Sequence, residues 1–481
     1  MNQSTTSAEP IHLGPELAAR MRTVFEAQRP VALRLRASTV AERLARLERL
    51  RAAILAHRAA LIAAVVADLA RPTLETELAE LLPVLADLAD HRRHLARWLR
   101  PRRVRPTVAT LGTRAWVQRE PRGRTLIIAP WNYPIVLSLG PLIPAVACGN
   151  TAIIKTSELA PHSSRVLVQI IRSAFDESEV AVFEGDASVG AALLDLPFDH
   201  VFFTGSPGVG QLVMAAAAKS LASVTLELGG KSPVIIDASA DVPRAVDTIA
   251  WAKCLNAGQT CIAPDHLYVH ASVYEQVIER FRSRLSSWYG AHAEQAADLA
   301  RIVNERHARR LADLIDDARR HGAAVLQGGS VDVERRFIAP TVLGGVPDGA
   351  RIMHEEIFGP VLPVLIYRSE EELIERINAA PKPLALYVWT RRREFARQLI
   401  QRTSAGGTCI NQVALQFLQH NLPFGGVNHS GIGSYHGEWG IRAFSHERAV
   451  LEAKVQLSGA FLPPYGARAR RLLAMLMKWS T

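Results

Sequence analysis

Cys261 stands in the run GQTCIAPD, residues 258–265, after a turn-like Gly-Gln-Thr and shortly before Pro264. A cysteine in such a loop can serve as a nucleophile once it is a thiolate, which needs a lowered pKa or an adjacent base. The plainer alternative is a small buried hydrophobe, and Cys254, two helical turns earlier, reads that way. Glu227 ends an apolar run in LELGGKSP, residues 226–233. A carboxylate at a strand end beside a cleft is a candidate general base, or else half of an ion pair with an arginine. Gly229 and Gly230 after it are expected to let the backbone turn sharply. Asn132, in APWNYP at 129–134, offers a neutral amide donor that can hold an oxyanion, or can cap a turn.

A second set of residues suits a dinucleotide. IIKTSE, residues 153–158, ends a run of strand character with Lys155 and then Glu158. An acid just beyond the second strand of a dinucleotide fold binds ribose hydroxyls and disfavours a 2′-phosphate. HVFFTGSPGVG, residues 200–210, is a strand, then Gly205 and Ser206, then an apolar helix whose N-terminal amides can meet a pyrophosphate. The spacing is not the six-residue GxGxxG fingerprint. In EEIFGP, residues 355–360, Glu356 can hold a pair of sugar hydroxyls and Phe358 can pack on a flat ring. The chain has only seven lysines among 56 basic residues, so Lys155 and Lys231 stand out as places where an ammonium rather than a guanidinium is required.

The surrounding pattern places these groups. The first hundred residues read as helices, with Leu44, Leu47, Leu50, Ile54 and Leu55 at helical spacing. Thr39 and Glu42 have the spacing of a capping box, and a second helix is expected from about Leu74 to Leu99, closed by Pro101. From Arg114 onward, short apolar runs alternate with helical stretches: 125–130, 151–155, 180–183, 200–205, 223–230 and 232–237. This alternation predicts parallel βαβ units, with a dinucleotide fold from about 121 to 229. A second α/β run follows, with strands at 265–270, 361–367 and 384–389, helices at 272–288 and 305–321, and a glycine-rich end, PFGGVNHSGIGSYHG. A cleft between two such units is the natural place for a ligand.

The 481 residues are 48% hydrophobic and 21% charged, which excludes disordered, collagen-like and disulfide-scaffold classes. Four cysteines in so long a chain point to a reducing compartment and a cytoplasmic location, and none has zinc spacing, so no metal is expected. The net charge of +10 is carried by residues 91–124, which hold eleven arginines against Glu120 alone. Without a recognised binding module, this stretch reads as a solvated or inter-subunit surface rather than a nucleic-acid site. The apolar run at 135–148 is too short to span a bilayer. The tail Ala467–Trp479 has the make-up of a basic amphipathic helix. Docking on its own domain or on a partner subunit is favoured over a membrane surface.

In order and spacing, PWNYP, IIKTSE, FTGSPGVG, ELGGKSP, GQTC, EEIFGP and PFGGV resemble the aldehyde dehydrogenase superfamily over about residues 20–455. GQTCIAPD, LPFDHVFFTGS, AFSHERAV and PPYG are most similar to its class 3 branch and to bacterial coniferyl aldehyde dehydrogenases. The resemblance implies a Rossmann-type dinucleotide-binding domain (1–105 and 121–229) and an α/β catalytic domain (230–428). It also implies a small β bridging arm (106–120 and 441–455) and an amphipathic tail (456–481). It implies that Cys261 attacks an aldehyde and that Asn132 and the Cys261 N–H hold the oxyanion. A hydride leaves to NAD, with NADP also open, and Glu227 activates the water that cleaves the thioester. Glu356 is the rival base. The same resemblance puts Lys155 and Glu158 on the adenosine ribose, Gly205 and Ser206 at the pyrophosphate, and Glu356 and Phe358 on the nicotinamide half. Tyr133 and the loop around 413–420 are expected to form part of the substrate wall, and the resemblance implies a homodimer. Thr156, Pro207-Gly208 and Asn428-His429 depart from the family pattern, and they bear on cofactor affinity rather than on the catalytic groups. The expected substrate is an aromatic or hydrophobic aldehyde, coniferyl aldehyde among them. The alternatives are a long-chain aliphatic aldehyde and a non-catalytic relative.

Overall fold

The computed structural model describes residues 11–454, 459 and 461–479. The first ten residues of the expected N-terminal region, Val455 of the expected arm and part of the expected tail lie outside the described residues. Helices Pro15–Arg36, Val40–Ala56 and Arg58–Leu69 open the chain. The second starts on a reciprocal cap: Thr39 N–H donates to Glu42 Oε2 at 2.6 Å, and Glu42 N–H donates to Thr39 Oγ1 at 3.3 Å. The helix expected from Leu74 is broken by a π-helical turn, Glu77–Leu81, before Leu82–Trp98. That turn aims Glu80 at the backbone of Ile135 and Val136, and such turns cluster at functional sites.

The first sheet has six strands, in spatial order Gly431–Ile432, Ser223–Leu228, His200–Gly205, Arg124–Ile128, Thr151–Lys155 and Val180–Phe183, all parallel except the short Gly431–Ile432 at its edge. The chain fills one side of Arg124–Ile128 first and then the other, so the order reverses between Arg124–Ile128 and His200–Gly205. In open α/β sheets the ligand crevice opens at that switch point, outside the carboxyl ends of the strands. Helix Val136–Cys148 backs this sheet and is buried along its whole length, which is why its sequence is apolar on every face.

The strand predicted at 232–237 forms as Pro233–Ile236 and belongs to a second sheet, so Gly229–Ser232 carry the chain from one sheet to the other. The second sheet runs Ala324–Gln327, Thr341–Gly344, Val361–Tyr367, His266–His270, Pro233–Ile236, Ala385–Trp389 and Gly407–Ile410, parallel except for its first member. The strands at 324–327, 341–344 and 407–410 are too short for a periodic signal in the sequence.

A third, antiparallel sheet joins Arg102–Val104, Thr113–Pro121 and Ser445–Ala453. It begins four residues before the expected arm boundary at 106, because Arg102–Val104 pairs back onto Ala115–Val117. Helix Ala467–Trp479 lies beside the turn Val108–Thr110 and exposes Leu473 and Met475. No single described helix is long and apolar enough to cross a membrane.

Candidate active site

Three connections converge on the cleft. The loop after Arg124–Ile128 carries Asn132 and Tyr133, the strand Ser223–Leu228 ends just past Glu227, and the turn before His266–His270 carries Cys261. The turn is held by conformations that few side chains tolerate: Asn256 and Ala257 sit at φ +51° and +50°, in the left-handed region. Cys261 forms part of the wall of two cavities. One, of about 810 Å³, is lined by Asn132, Gly205, Ser206, Glu227, Glu356 and Phe358 together with Trp131, Leu137, Thr204, Gly229, His307 and Arg310. The other, of about 830 Å³, is lined by Tyr133, Val136, Leu137, Trp251, Leu255, Ile262, Val413, Leu415, Phe417 and Leu418, with no charged side chain.

The geometry in the first cavity suits acyl chemistry. Asn132 is buried, and its Nδ2 donates to the Gln259 carbonyl at 3.1 Å, so its donor already points toward the Cys261 turn. The backbone N–H groups of Cys261 and Ile262 face the sulfur. Burial, helped by the Glu356 and Glu227 carboxyls, pushes the Cys261 thiol up to about 12. Burial alone lifts Glu227 well above the usual carboxylate range, and among the described residues neither of its oxygens has a hydrogen-bond partner. Glu356 is lifted to about 8, by burial first and then by Asp265. Burial therefore disfavours charge on the nucleophile and on both carboxyls.

Lys231 uses its ammonium to hold three acceptors at once. Its ammonium pairs with Asp265 Oδ1 at 2.5 Å and donates to the carbonyls of Ile352 and Glu355 at 2.8 and 3.0 Å. It thereby pins the segment that carries Glu356 and Phe358 to the base of the Cys261 turn. Gly229 and Gly230 differ from expectation, since neither lies in the left-handed region. What Gly229 provides is absence of bulk: a Cβ there would fall 2.2 Å from Glu356 Oε2. Phe358, at φ +48°, meets Trp131 edge-on with ring centres 5.5 Å apart.

Nine residues were singled out for catalysis or cofactor binding. The first cavity gathers seven of them: Cys261, Glu227, Asn132, Gly205, Ser206, Glu356 and Phe358. Lys155 and Glu158 lie outside it, at the carboxyl end of the neighbouring strand, where Lys155 Nζ donates to Glu158 Oε2 at 3.0 Å. Tyr133 lines the second cavity, its hydroxyl 2.8 Å from Thr260 Oγ1. His307 and Arg310, one turn apart on helix Glu305–Arg320, were not singled out from the sequence. Arg310 donates to the carbonyls of Glu356 and Ile357 at 3.2 and 2.5 Å. No spacing rule marks them, because what matters is which face of an ordinary amphipathic helix meets the cleft.

A dinucleotide fits the open end of this cavity. Ser206 precedes helix Pro207–Ala218 without capping it, and a Cβ on Gly208 would meet nothing within 4 Å, so the helix N-terminus is open to a phosphate. The departure at Pro207 costs nothing there, since the first helical position has no intrahelical use for its N–H. Asn428 takes φ +54°, a conformation that asparagine tolerates.

Comparison with known proteins agrees with this geometry. The model of the aldehyde dehydrogenase family matches residues 16–450. The chain is 39% identical over 432 residues to aldehyde dehydrogenase family 3 member A2 of Mus musculus, covering 90% of this chain and 87% of that one. The substrate-bound state of Staphylococcus aureus AldH superposes with a TM-score of 0.90 at 38% identity, covering 95% of this chain and 99% of that one. A Mycobacterium tuberculosis aldehyde dehydrogenase complexed with NAD+ superposes with a TM-score of 0.82 at 26% identity over 90% of both chains. On the match across nearly its whole length, the chain belongs to the aldehyde dehydrogenase family, with relatives of the family 3 type.

Proposed function

We propose that the protein oxidises apolar aldehydes to carboxylic acids, with NAD as the favoured electron acceptor. The observation that carries this reading is the position of Cys261 in the shared wall of a polar cavity and an apolar one. The apolar cavity takes the aldehyde's hydrocarbon part, which brings its carbonyl carbon to the sulfur. Glu227 or Glu356, once its own proton has left to solvent, accepts the thiol proton and passes it on to solvent. The Cys261 thiolate forms the C–S bond while the carbonyl π electrons move to oxygen, held by Asn132 Nδ2 and the Cys261 N–H. Gly205, Ser206, Glu356 and Phe358 would hold NAD, with Lys155 and Glu158 at its ribose, and when bound it would supply the acceptor for the hydride that leaves the tetrahedral carbon. Glu227 then takes a proton from water as its oxygen adds to the thioester carbon, and the C–S bond breaks to free the sulfur.

The apolar cavity decides among substrates. Its polar groups are few: Thr260 and Tyr133, which bond to each other, Cys261 itself and the Trp251 indole N–H. The phenol of coniferyl aldehyde would leave water for a wall that is mostly hydrocarbon, and a polar group without a partner there is costly. A saturated chain meets none of that cost and gains ~0.8 kcal/mol for each methylene buried. The expected result is that kcat/KM rises about fourfold per added methylene from butanal upward until the cavity is full. Decanal then exceeds coniferyl aldehyde. A flat chain-length profile, or coniferyl aldehyde ahead, would overturn the apolar assignment.

Glu158 supports NAD over NADP, because its carboxylate repels a 2′-phosphate at the ribose. In Glu158→Ala the KM for NADP should fall relative to that for NAD by about fivefold, the factor given by ~1 kcal/mol for a part-exposed charge pair. Equal ratios in parent and variant would remove Glu158 from the cofactor site. Strand Ser445–Ala453 is a nine-residue sheet edge whose outer side chains are mostly exposed. Such an edge is a template for pairing with another chain, and this supports a homodimer joined through the third sheet. The four free thiols support a reducing, cytoplasmic setting.

A further inference from the structure

Arg71 is fully buried, yet it belongs to neither cavity wall. It comes from the break between helix Arg58–Leu69 and the helical turn Thr73–Thr76, far in sequence from Cys261. Its guanidinium makes three directed contacts at once: Nη1 to Glu80 Oε1 at 2.7 Å, Nε to Asn256 Oδ1 at 3.1 Å, and Nη2 to the Asn132 carbonyl. Its plane also lies over the Tyr133 ring, 4.5 Å from the centroid. Asn256 completes the link, donating from Nδ2 to the carbonyls of Asn132 at 2.9 Å and Gln259 at 3.1 Å. The Glu75 carboxylate holds the Asn256 N–H at 2.6 Å, which secures the left-handed backbone there.

These bonds join the two loops that carry the oxyanion donors, Asn132 on one and the Cys261 N–H on the other. We propose that Arg71 is a positioning residue for aldehyde oxidation: acting through Asn256, it sets the gap between Asn132 and the Cys261 turn. A planar fork suits this because it fixes two acceptors on different loops in one geometry, which a point charge cannot do. The inference rests on the reading of Asn132 as an oxyanion donor, so its test separates the two.

The experiment is a double-mutant cycle of Arg71→Lys and Asn132→Ala, followed by kcat, the KM for NAD and the melting temperature. Asn132→Ala alone should lower kcat by about 10²–10³, the range for loss of one oxyanion donor. Arg71→Lys alone should lower kcat by about 10–100-fold with the KM for NAD unchanged. In the Asn132→Ala background the same change should cost less than about twofold, because the group being positioned is gone. If the two losses multiply, Arg71 is structural and the proposal falls. If Asn132→Ala leaves kcat intact, the oxyanion reading itself falls and takes the proposal with it. Should Arg71→Lys fail to fold, Asn256→Asp repeats the cycle: it keeps the acceptor facing Arg71 and tolerates the left-handed backbone, but loses both amide donations.

Discussion

Cys261→Ala should abolish aldehyde-dependent NADH formation, lowering kcat by on the order of 10⁴–10⁶, the scale for removing a covalent nucleophile. Cofactor binding should persist, since only one wall residue of the polar cavity has changed, and then only from thiol to methyl. Quenching of protein fluorescence by NADH would report that binding. Cys254→Ala is the contrasting variant. Its thiol is buried and bonded to Tyr289 and lines neither cavity, so stability should fall while turnover per folded molecule holds. Residual turnover above a hundredth in Cys261→Ala would end the covalent mechanism. The thiol's position at about 12 adds a pH signature, because the reactive form is the thiolate. In cofactor-free enzyme, alkylation of Cys261 should therefore speed up about tenfold per pH unit toward alkaline pH. A rate already maximal at neutral pH would mean that the site lowers this thiol rather than raising it.

Glu227→Gln is the second variant with a large effect. Replacing the base should reduce steady-state turnover about 10²–10⁴-fold while the first turnover remains fast, so NADH appears in a burst and a thioester accumulates on Cys261. Hydroxylamine, which attacks a thioester without a base, should restore turnover. The sign of the pH dependence follows from burial: a carboxyl held above its usual range is neutral below its pKa and becomes the active base above it. Thioester cleavage in the parent enzyme should therefore rise with pH, and in the variant it should be flat. Glu356 provides the discriminating comparison, since burial and Asp265 lift it to about 8 and it sits in the same cavity. If Glu356→Gln shows the burst and Glu227→Gln does not, the base is Glu356.

Much of the chemistry was legible in the sequence because it sits in short, local runs. The capping box at Thr39, the strands before Asn132 and Lys155 and around Glu227, and the residue types at the site follow from local periodicity and turn chemistry. Sequence-local signals failed where a role depended on distant neighbours. Lys231 reads only as a place that requires an ammonium; Asp265 and the carbonyls of residues 352 and 355, which give it that task, lie far along the chain. Gly229 reads like a flexible turn until Glu356 is found occupying the space its side chain would need.

By itself, then, the sequence determined the reactive groups and the alternation of strands and helices, whereas the strand order, and with it the reversal point, came from the sheet. The first two are set by neighbours within a few residues along the chain. Only the tertiary structure decided that Cys261 faces a polar cavity on one side and an apolar one on the other, that Arg310 holds the Glu356 segment, and that Arg71 reaches Asn132 across 61 residues. The physical reason is directional. A buried guanidinium such as that of Arg71 is stabilised by each donor that finds a partner, and those partners come from whichever loops the two sheets bring together.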